Sequence, residues 1–163
     1  SSEIFPMDAR QQSFISAFGN LAASSGFKRL HGVIIGLLLS SPGPLSLDEI
    51  ADLLHRSKGL MSETTRRLQS LGYIKKVDGP ISRKDYYIAD PDLFMSVFRD
   101  SVAAARRNAE IAQKFLDELE GINAKDAARW KENLRVMDVF YNRLIIHQAK
   151  FEKDWNGLSK TVR

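Results

Sequence analysis

Lysine and arginine side chains are concentrated in one short part of this chain. From His55 to Lys84 there are eight Lys or Arg and two acids, a net charge of +6, whereas the whole chain of 163 residues carries only +4. The basic residues are Arg56, Lys58, Arg66, Arg67, Lys75, Lys76, Arg83 and Lys84. Focused positive charge is typical of a surface that binds a polyanion. A solvated basic surface without a partner is the alternative at this stage.

Two short helices and a hairpin are predicted to position these basic side chains. Ser46 is a natural N-cap, and Glu49 three residues later completes a capping-box pattern at the start of the first helix. Ser57 can cap a second helix, which Gly72 ends. Residues 73–77 and 85–88 alternate like strands on either side of a turn at 78–80. Two helices followed at once by a hairpin predict a winged helix-turn-helix, which suits the major groove of duplex DNA.

The second helix has two different faces. Met61, Leu68 and Leu71, with Thr64 or Thr65, are predicted to seat it on the core. The candidate DNA-binding residues of the opposite face are Ser57, Lys58, Gly59, Leu60, Ser62, Glu63, Arg66 and Arg67. Those of the hairpin are Lys75, Lys76, Ser82, Arg83 and Lys84. A helix start with serine hydroxyls suits phosphates, so Ser57 and Ser62 are assigned to phosphate contacts.

The roles of the longer side chains follow from their positions. Lys58, Ser62 and Glu63 are placed for base edges, whereas the arginines further along the helix are placed for phosphates. Arg83 is the candidate for the minor groove, because narrow A·T-rich grooves attract guanidinium groups. The hairpin lysines are expected to neutralise phosphates.

The motifs of this region resemble those of the MarR superfamily. The matching stretches are 45–51, 57–62, 68–74 and 82–87, and the resemblance covers roughly residues 27–92. Within the superfamily the chain is most similar to the GbsR-type branch, through Ser57-Lys58-Gly59-x-x-Ser62 and Arg83-Lys84-Asp85-Tyr86-Tyr87. The resemblance implies a dimeric DNA-binding repressor. For some members of the branch it also implies a link to choline and glycine-betaine metabolism, which does not transfer automatically.

The rest of the chain is predicted to be helical. Helices are expected at 8–24, 27–40, 92–120 and 125–157. The fold class is therefore mainly α with a small β-hairpin wing, and long C-terminal helices form a dimerisation bundle. The expected domains are an N-terminal helix in 1–26, a winged helix-turn-helix in 27–91 and a helical dimerisation region in 92–163.

The last helix carries a heptad-like apolar seam. Its members are Trp130, Leu134, Met137, Tyr141, Leu144, Gln148, Phe151, Trp155 and Leu158, at alternating spacings of four and three residues. Such a seam predicts a coiled-coil-like dimer interface, in which the polar Gln148 sets the register. A monomer whose tail folds back on its own head is the alternative.

Aromatic residues in the same helix raise a second hypothesis. Trp130, Phe140, Tyr141 and Trp155 could cage a quaternary ammonium effector by cation–π attraction. Aromatic residues at heptad spacing are more often ordinary core, so the sequence favours packing, and the effector pocket stays an alternative.

Other kinds of chemistry find no support in the sequence. The chain has no cysteine, and His31, His55 and His147 lack the spacing of metal ligands, so neither a metal nor a cofactor is expected. Phosphate-binding loops and nucleophile motifs are missing, which argues against an enzyme. No membrane association is expected, and a cytoplasmic location follows by default.

Two functions remain open at this stage. The first is a sequence-specific, homodimeric DNA-binding regulator that binds a palindromic operator. The second is a winged-helix protein–protein interaction module that does not bind DNA.

Overall fold

The computed structural model describes residues 7–162, without side-chain detail at positions 124 and 126. Residues 1–6 of the predicted N-terminal segment and Arg163 lie outside the described residues. The described helices are α1 Ala9–Ser24, α2 Arg29–Ser40, α3 Leu47–Leu53, α4 Lys58–Ser70, α5 Leu93–Glu118 and α6 Ala124–Val162. The strands are β1 Leu45–Ser46, β2 Ile74–Val77 and β3 Tyr86–Ala89. The predicted mainly helical fold with a small β wing is confirmed.

The chain divides into two compact units, which we call the head, ending at Ser96, and the tail, beginning at Val97. The head is built around α2, whose side chains Ile34 and Leu37 are completely buried. Ile50 of α3, Leu68 of α4 and Ile74 of β2 belong to the same apolar cluster. Burial of these large side chains is the main term that stabilises the head.

Helix α1 packs closely on α2 because two glycines leave room for it. A β-carbon at Gly32 would overlap the carbonyl oxygen of Phe18 and would lie 2.7 Å from Cβ of Ala22. At Gly36 the added atom would lie 3.0 Å from Cβ of Phe18. The Gly32-x-x-x-Gly36 pattern therefore allows close packing of α1 on α2, and α1 is part of the head.

The sheet has one strand more than the sequence predicted. Strands β2 and β3 form the expected antiparallel hairpin, and β1 pairs with the other edge of β3. Leu45 lies opposite Tyr87, and Ser46 lies opposite Tyr86. A strand of two residues is too short to show a periodicity, which is why the hairpin alone was expected.

The tail contains an antiparallel pair formed by α5 and α6. The ring centroids of Phe98 and Phe151 lie 4.9 Å apart, and those of Phe115 and Trp130 lie 6.1 Å apart, so the two helices run in opposite directions. Ala112 is fully buried in their interface. Helix α6 continues to Val162, five residues beyond the predicted end at 157.

Candidate nucleic-acid interface

A tight turn between α3 and α4 orients the two helices. Ser46 Oγ accepts from the amide of Glu49 at 3.2 Å, and the Glu49 carboxylate accepts from the amide of Ser46 at 2.7 Å, which completes the predicted capping box. The chain turns through His55, a non-glycine residue at φ 53°. Ser57 then caps α4, since its Oγ accepts from the amide of Leu60 at 3.3 Å. Both predicted helix starts are confirmed.

Helix α4 is seated on the head through one face. Met61 and Leu68 are completely buried there. The hydroxyls of Thr64 and Thr65 donate to carbonyl oxygens one turn earlier, at 2.7 and 2.8 Å, so their burial leaves these donors satisfied. The helix ends before Gly72, whose φ of 76° suits a residue without a β-carbon. The predicted inward face of α4 is confirmed, and the opposite face of the helix is not packed on the core.

We call the exposed outer face of α4 and the adjoining β2–β3 segment the helix–wing surface. The outer face contains Ser57, Lys58, Gly59, Leu60, Ser62, Glu63, Arg66 and Arg67, of which Ser62 is half-buried and the others are exposed. The wing contributes Lys75, Lys76, Ser82, Arg83 and Lys84, all exposed. The structure therefore places every predicted DNA-binding residue at an accessible position of the head, on α4 and on the wing that follows it.

Two aromatic side chains anchor the wing. Tyr86 and Tyr87 of β3 are buried, and Tyr87 belongs to the apolar cluster of the head. Gly79, in the turn between the strands, lies under the ring of Tyr86. The exposed residues 82–84 therefore extend from a base that is packed on the core.

Three of the basic side chains form ion pairs with carboxylates of the same chain. Lys58 Nζ lies 2.7 Å from Asp48 Oδ1, and Lys84 Nζ lies 3.3 Å from Asp48 Oδ2. Lys76 Nζ lies 2.9 Å from Asp85 Oδ2. The hydrogen bond with Asp48 raises the pKa of Lys58, and hydrogen bonds from both lysines lower the pKa of Asp48.

The two carboxylates lie outside the segment whose charge was counted from the sequence. From Asp48 to Asp85 the chain has eight Lys or Arg and six acids, a net charge of +2 instead of +6. Among the described side chains, no carboxylate lies within 4.0 Å of the other five cations. These are Arg56, Arg66, Arg67, Lys75 and Arg83. Asp85 could have been found from the hairpin pattern, whereas no local signal connects Asp48 with the wing.

The predicted dimer seam of α6 is partly covered by α5 of the same chain. Leu134 and Gln148 are buried, and Met137 packs beside them. Gln148 Nε2 donates to Ser101 Oγ at 3.4 Å, so its amide has a partner within the tail. Trp130 and Phe151 contact aromatic rings of α5 yet stay about half exposed, at 50% and 51%. The remaining seam residues are half-buried Tyr141 and Trp155 and exposed Leu144 and Leu158.

A second apolar row of α6 remains uncovered in the single chain. Its members are Val136, Phe140, Leu144, Phe151, Leu158 and Val162, with exposures of 65, 60, 36, 51, 57 and 72%. The spacings of 4, 4, 7, 7 and 4 residues place them along one side of a helix. We call this row the apolar stripe. Only Leu144, Phe151 and Leu158 belong both to it and to the predicted seam.

The aromatic residues proposed for an effector pocket are not brought together within one chain. Because a helix rises 1.5 Å per residue, Trp130 and Trp155 lie about 37 Å apart along α6. Phe140 and Tyr141 contact each other edge to face at 5.2 Å, about 15 Å along the helix from Trp130. A cation–π cage needs all of its rings within about 6 Å of one cation. A single chain therefore does not form the predicted four-residue cage.

Among the side chains described within residues 7–162, no group of three or more His, Asp or Glu is arranged to hold a metal ion. Among the helices of that range, none combines the length and apolar character that crossing a bilayer requires.

Comparisons with known proteins give two informative matches, and no family model matches the chain. The HTH-type transcriptional regulator MmpR5 of Mycobacterium tuberculosis is 27% identical over 120 residues, which are 73% of each chain. A crystal structure described as a transcriptional regulator superposes with a TM-score of 0.71 at 23% identity, covering 91% of this chain and 99% of the other. An S. aureus MepR mutant bound to an oligodeoxyribonucleotide matches at 18% identity with a TM-score of 0.40, over 78% of this chain and 87% of the other. Both informative relatives are transcriptional regulators, a class of proteins without enzymatic activity.

Proposed function

We propose that this chain, whose winged-helix fold is that of MarR-type transcriptional regulators, binds a palindromic operator in duplex DNA as a homodimer and represses transcription. The observation that carries the proposal is the helix–wing surface. There Arg66, Arg67, Lys75 and Arg83 are exposed and, among the described residues, have no carboxylate within ion-pair distance. Exposed cations that the protein itself leaves without counter-ions are available to phosphates.

The geometry suggests a distribution of roles over this surface. Helix α4 enters the major groove, where Ser62 and Glu63 reach base edges and Ser57 contacts a phosphate at the helix start. Arg66 and Arg67 contact phosphates further along α4. Arg83 lies in the wing, from where a guanidinium group can enter a minor groove.

The dimer is proposed from the uncovered apolar stripe of α6. Six large apolar side chains on one side of a helix are costly to leave in water, and a second copy of the chain would cover them. Two copies related by a twofold axis would present two helix–wing surfaces to half-sites about one DNA turn apart. The proposed interface thus shifts from the predicted seam towards Val136 and Phe140, which α5 does not cover.

Membership of the GbsR-type branch and a choline-like effector remain part of the proposal. The branch is supported by the helix-start motif that contains Gly59 and by the wing motif that contains Asp85. Because one chain does not assemble the aromatic cage, an effector site of this kind would require rings from both protomers.

Salt-dependent binding to DNA tests the proposed function. A labelled random-sequence duplex is titrated with protein at several KCl concentrations, and fluorescence anisotropy gives the observed association constant. Binding that weakens steeply with salt is expected, because each neutralised phosphate adds about −0.9 to the slope of log K against log[KCl]. No binding at low salt would contradict the proposal and favour the protein–protein interaction module.

A pair of arginine substitutions tests the surface itself. Arg83→Ala is expected to weaken binding about tenfold, the usual cost of one well-placed contact, without changing the free energy of unfolding, since the side chain is exposed. Arg106→Ala, at an exposed position of α5 that does not belong to the helix–wing surface, makes the same change in charge. Equal affinities of the two variants would remove Arg83 from the interface.

A further inference from the structure

The carboxylate of Asp48 pairs with a lysine of helix α4 and with a lysine of the wing. Asp48 lies in the first turn of α3, which contributes no candidate to the predicted DNA-binding set. Its Oδ1 lies 2.7 Å from Nζ of Lys58, the first residue of α4, and its Oδ2 lies 3.3 Å from Nζ of Lys84 in the wing. Both oxygens are therefore used, and each binds a different element.

We propose that Asp48 is an internal counter-charge that holds Lys58 and Lys84 together and limits the affinity of the helix–wing surface for duplex DNA of any sequence. The inference rests on the proposed function and assigns a regulatory role to a residue outside the contact set. An anionic side chain beside a DNA-binding surface normally repels DNA. Here it occupies two ammonium groups that would otherwise contact phosphates.

The exposure of the three side chains makes the arrangement reversible. The side chains of Lys58, Lys84 and Asp48 are 70, 45 and 37% exposed, and ion pairs at such positions are weak. A phosphate that meets both ammonium groups in the right geometry can replace Asp48, whereas a badly placed phosphate cannot. The negative charge of Asp52 also attracts Lys58 and therefore likewise competes with a phosphate for this lysine.

A purely structural role for Asp48 would have a different signature. If the ion pairs only fixed the angle of the wing, their loss would weaken DNA binding without adding phosphate contacts. If they mask charge, their loss strengthens binding to random DNA and steepens its salt dependence. The slope of log K against log[KCl] therefore separates the two roles.

The test compares Asp48→Asn with Asp85→Asn on a labelled random-sequence duplex. Both substitutions change the charge by +1 and replace a carboxylate by an amide of the same shape. Asp85 pairs with a single lysine, Lys76, so it controls for net charge. Circular dichroism confirms that both variants are folded before anisotropy titrations over a range of KCl concentrations.

We expect Asp48→Asn to steepen the slope by about 1.8, because two lysines are released, and Asp85→Asn by no more than about 0.9. At about 0.1 M KCl the affinity of Asp48→Asn for random DNA should rise about tenfold or more. In a Lys58→Gln, Lys84→Gln background, Asp48→Asn should have no further effect on the slope, because its partners are gone. An Asp48→Asn slope equal to that of the wild type or of Asp85→Asn would overturn the inference.

The same titrations distinguish failure of the inference from failure of the proposed function. If the wild-type chain binds random DNA and Asp48→Asn matches Asp85→Asn, the counter-charge role is refuted and DNA binding stands. If neither the wild type nor Asp48→Asn binds at low salt, DNA binding is refuted and the inference falls with it. Binding by Asp48→Asn alone would support the inference.

Discussion

The aromatic ring of Tyr86 covers the α-carbon of Gly79, so that a β-carbon at position 79 would overlap the ring. Tyr86 is 5% exposed and pairs with Val77 across the hairpin. The ring cannot move into solvent without losing its burial, so the glycine and the tyrosine together determine how the wing leaves the head.

Gly79→Ala is expected to destabilise the head by about 1–3 kcal/mol, because the added methyl group displaces a buried ring. Urea denaturation followed by circular dichroism measures the free energy of unfolding. Gly43→Ala is the control, since a β-carbon at Gly43 would meet no atom within 4 Å. Equal stability of the two variants would contradict the packing of Tyr86 on Gly79.

Gly59→Ala is expected to stabilise the protein and weaken DNA binding at the same time. A β-carbon at Gly59 would meet no atom within 4 Å, and glycine within a helix costs about 0.5–1 kcal/mol relative to alanine. The fold therefore does not require this glycine. A methyl group at the exposed start of α4 would, however, keep the helix amides away from a phosphate. Chemical denaturation and operator binding measure the two effects.

The control for this substitution is Gly157→Ala in α6, a second helical glycine whose β-carbon would meet no neighbour. It should raise the free energy of unfolding by a similar amount without changing the affinity for DNA. Unchanged DNA affinity in Gly59→Ala would show that α4 does not approach the duplex closely at this position.

Phe140→Glu is expected to convert the proposed dimer to a monomer while the fold is kept. The side chain is 60% exposed in the single chain, so the glutamate does not disturb the packing of α6 on α5, whereas in a dimer it would bury a charge. Sedimentation velocity measures the oligomeric state. Ala149→Glu, an equal change of charge at an exposed position on the far side of α6, should remain dimeric. A wild-type monomer, or a dimeric Phe140→Glu, would refute the proposed interface.

The stability of the head is expected to fall in mildly acidic solution because of His31. Burial lowers the pKa of His31 below its ordinary 6.5, and the cations Lys28 and Arg67 lower it further. The buried Nδ1 atom has no hydrogen-bond partner among the described residues. The imidazole of His31 therefore binds a proton near pH 6.5 in the unfolded chain, whereas in the folded chain it stays neutral until a lower pH is reached. The contribution to stability is complete above pH 6.5 and is lost as the pH falls from 6.5 towards the folded pKa.

The measurement is the free energy of urea unfolding between about pH 8 and pH 5 for the wild type and His31→Gln. The difference between the two proteins should change with pH in that window, because glutamine does not titrate. His147→Gln, at an exposed position of α6, should reproduce the wild-type profile. A difference between wild type and His31→Gln that is independent of pH would contradict the assignment.

Local patterns in the sequence determined the helix-turn-helix and most element boundaries. The capping box at Ser46, the N-cap at Ser57 and the stop at Gly72 depend on residues within four positions of one another, and all three were predicted correctly. The faces of α4 followed from the helical period, so the exposed positions of Arg66 and Arg67 could also be predicted.

Only the tertiary structure decided which groups meet across elements. Asp48 is ten residues before Lys58 and 36 before Lys84, and no local period relates them. Three of the eight basic side chains are therefore paired with acids that lie outside residues 55–84. The seam of α6 was read correctly as apolar, yet which part is covered depends on α5 of the same chain, through contacts such as Phe98 with Phe151. Hydrophobic periodicity specifies that a face is buried, because it reflects the cost of exposure to water. It does not specify the partner, because burial against any apolar surface removes that cost.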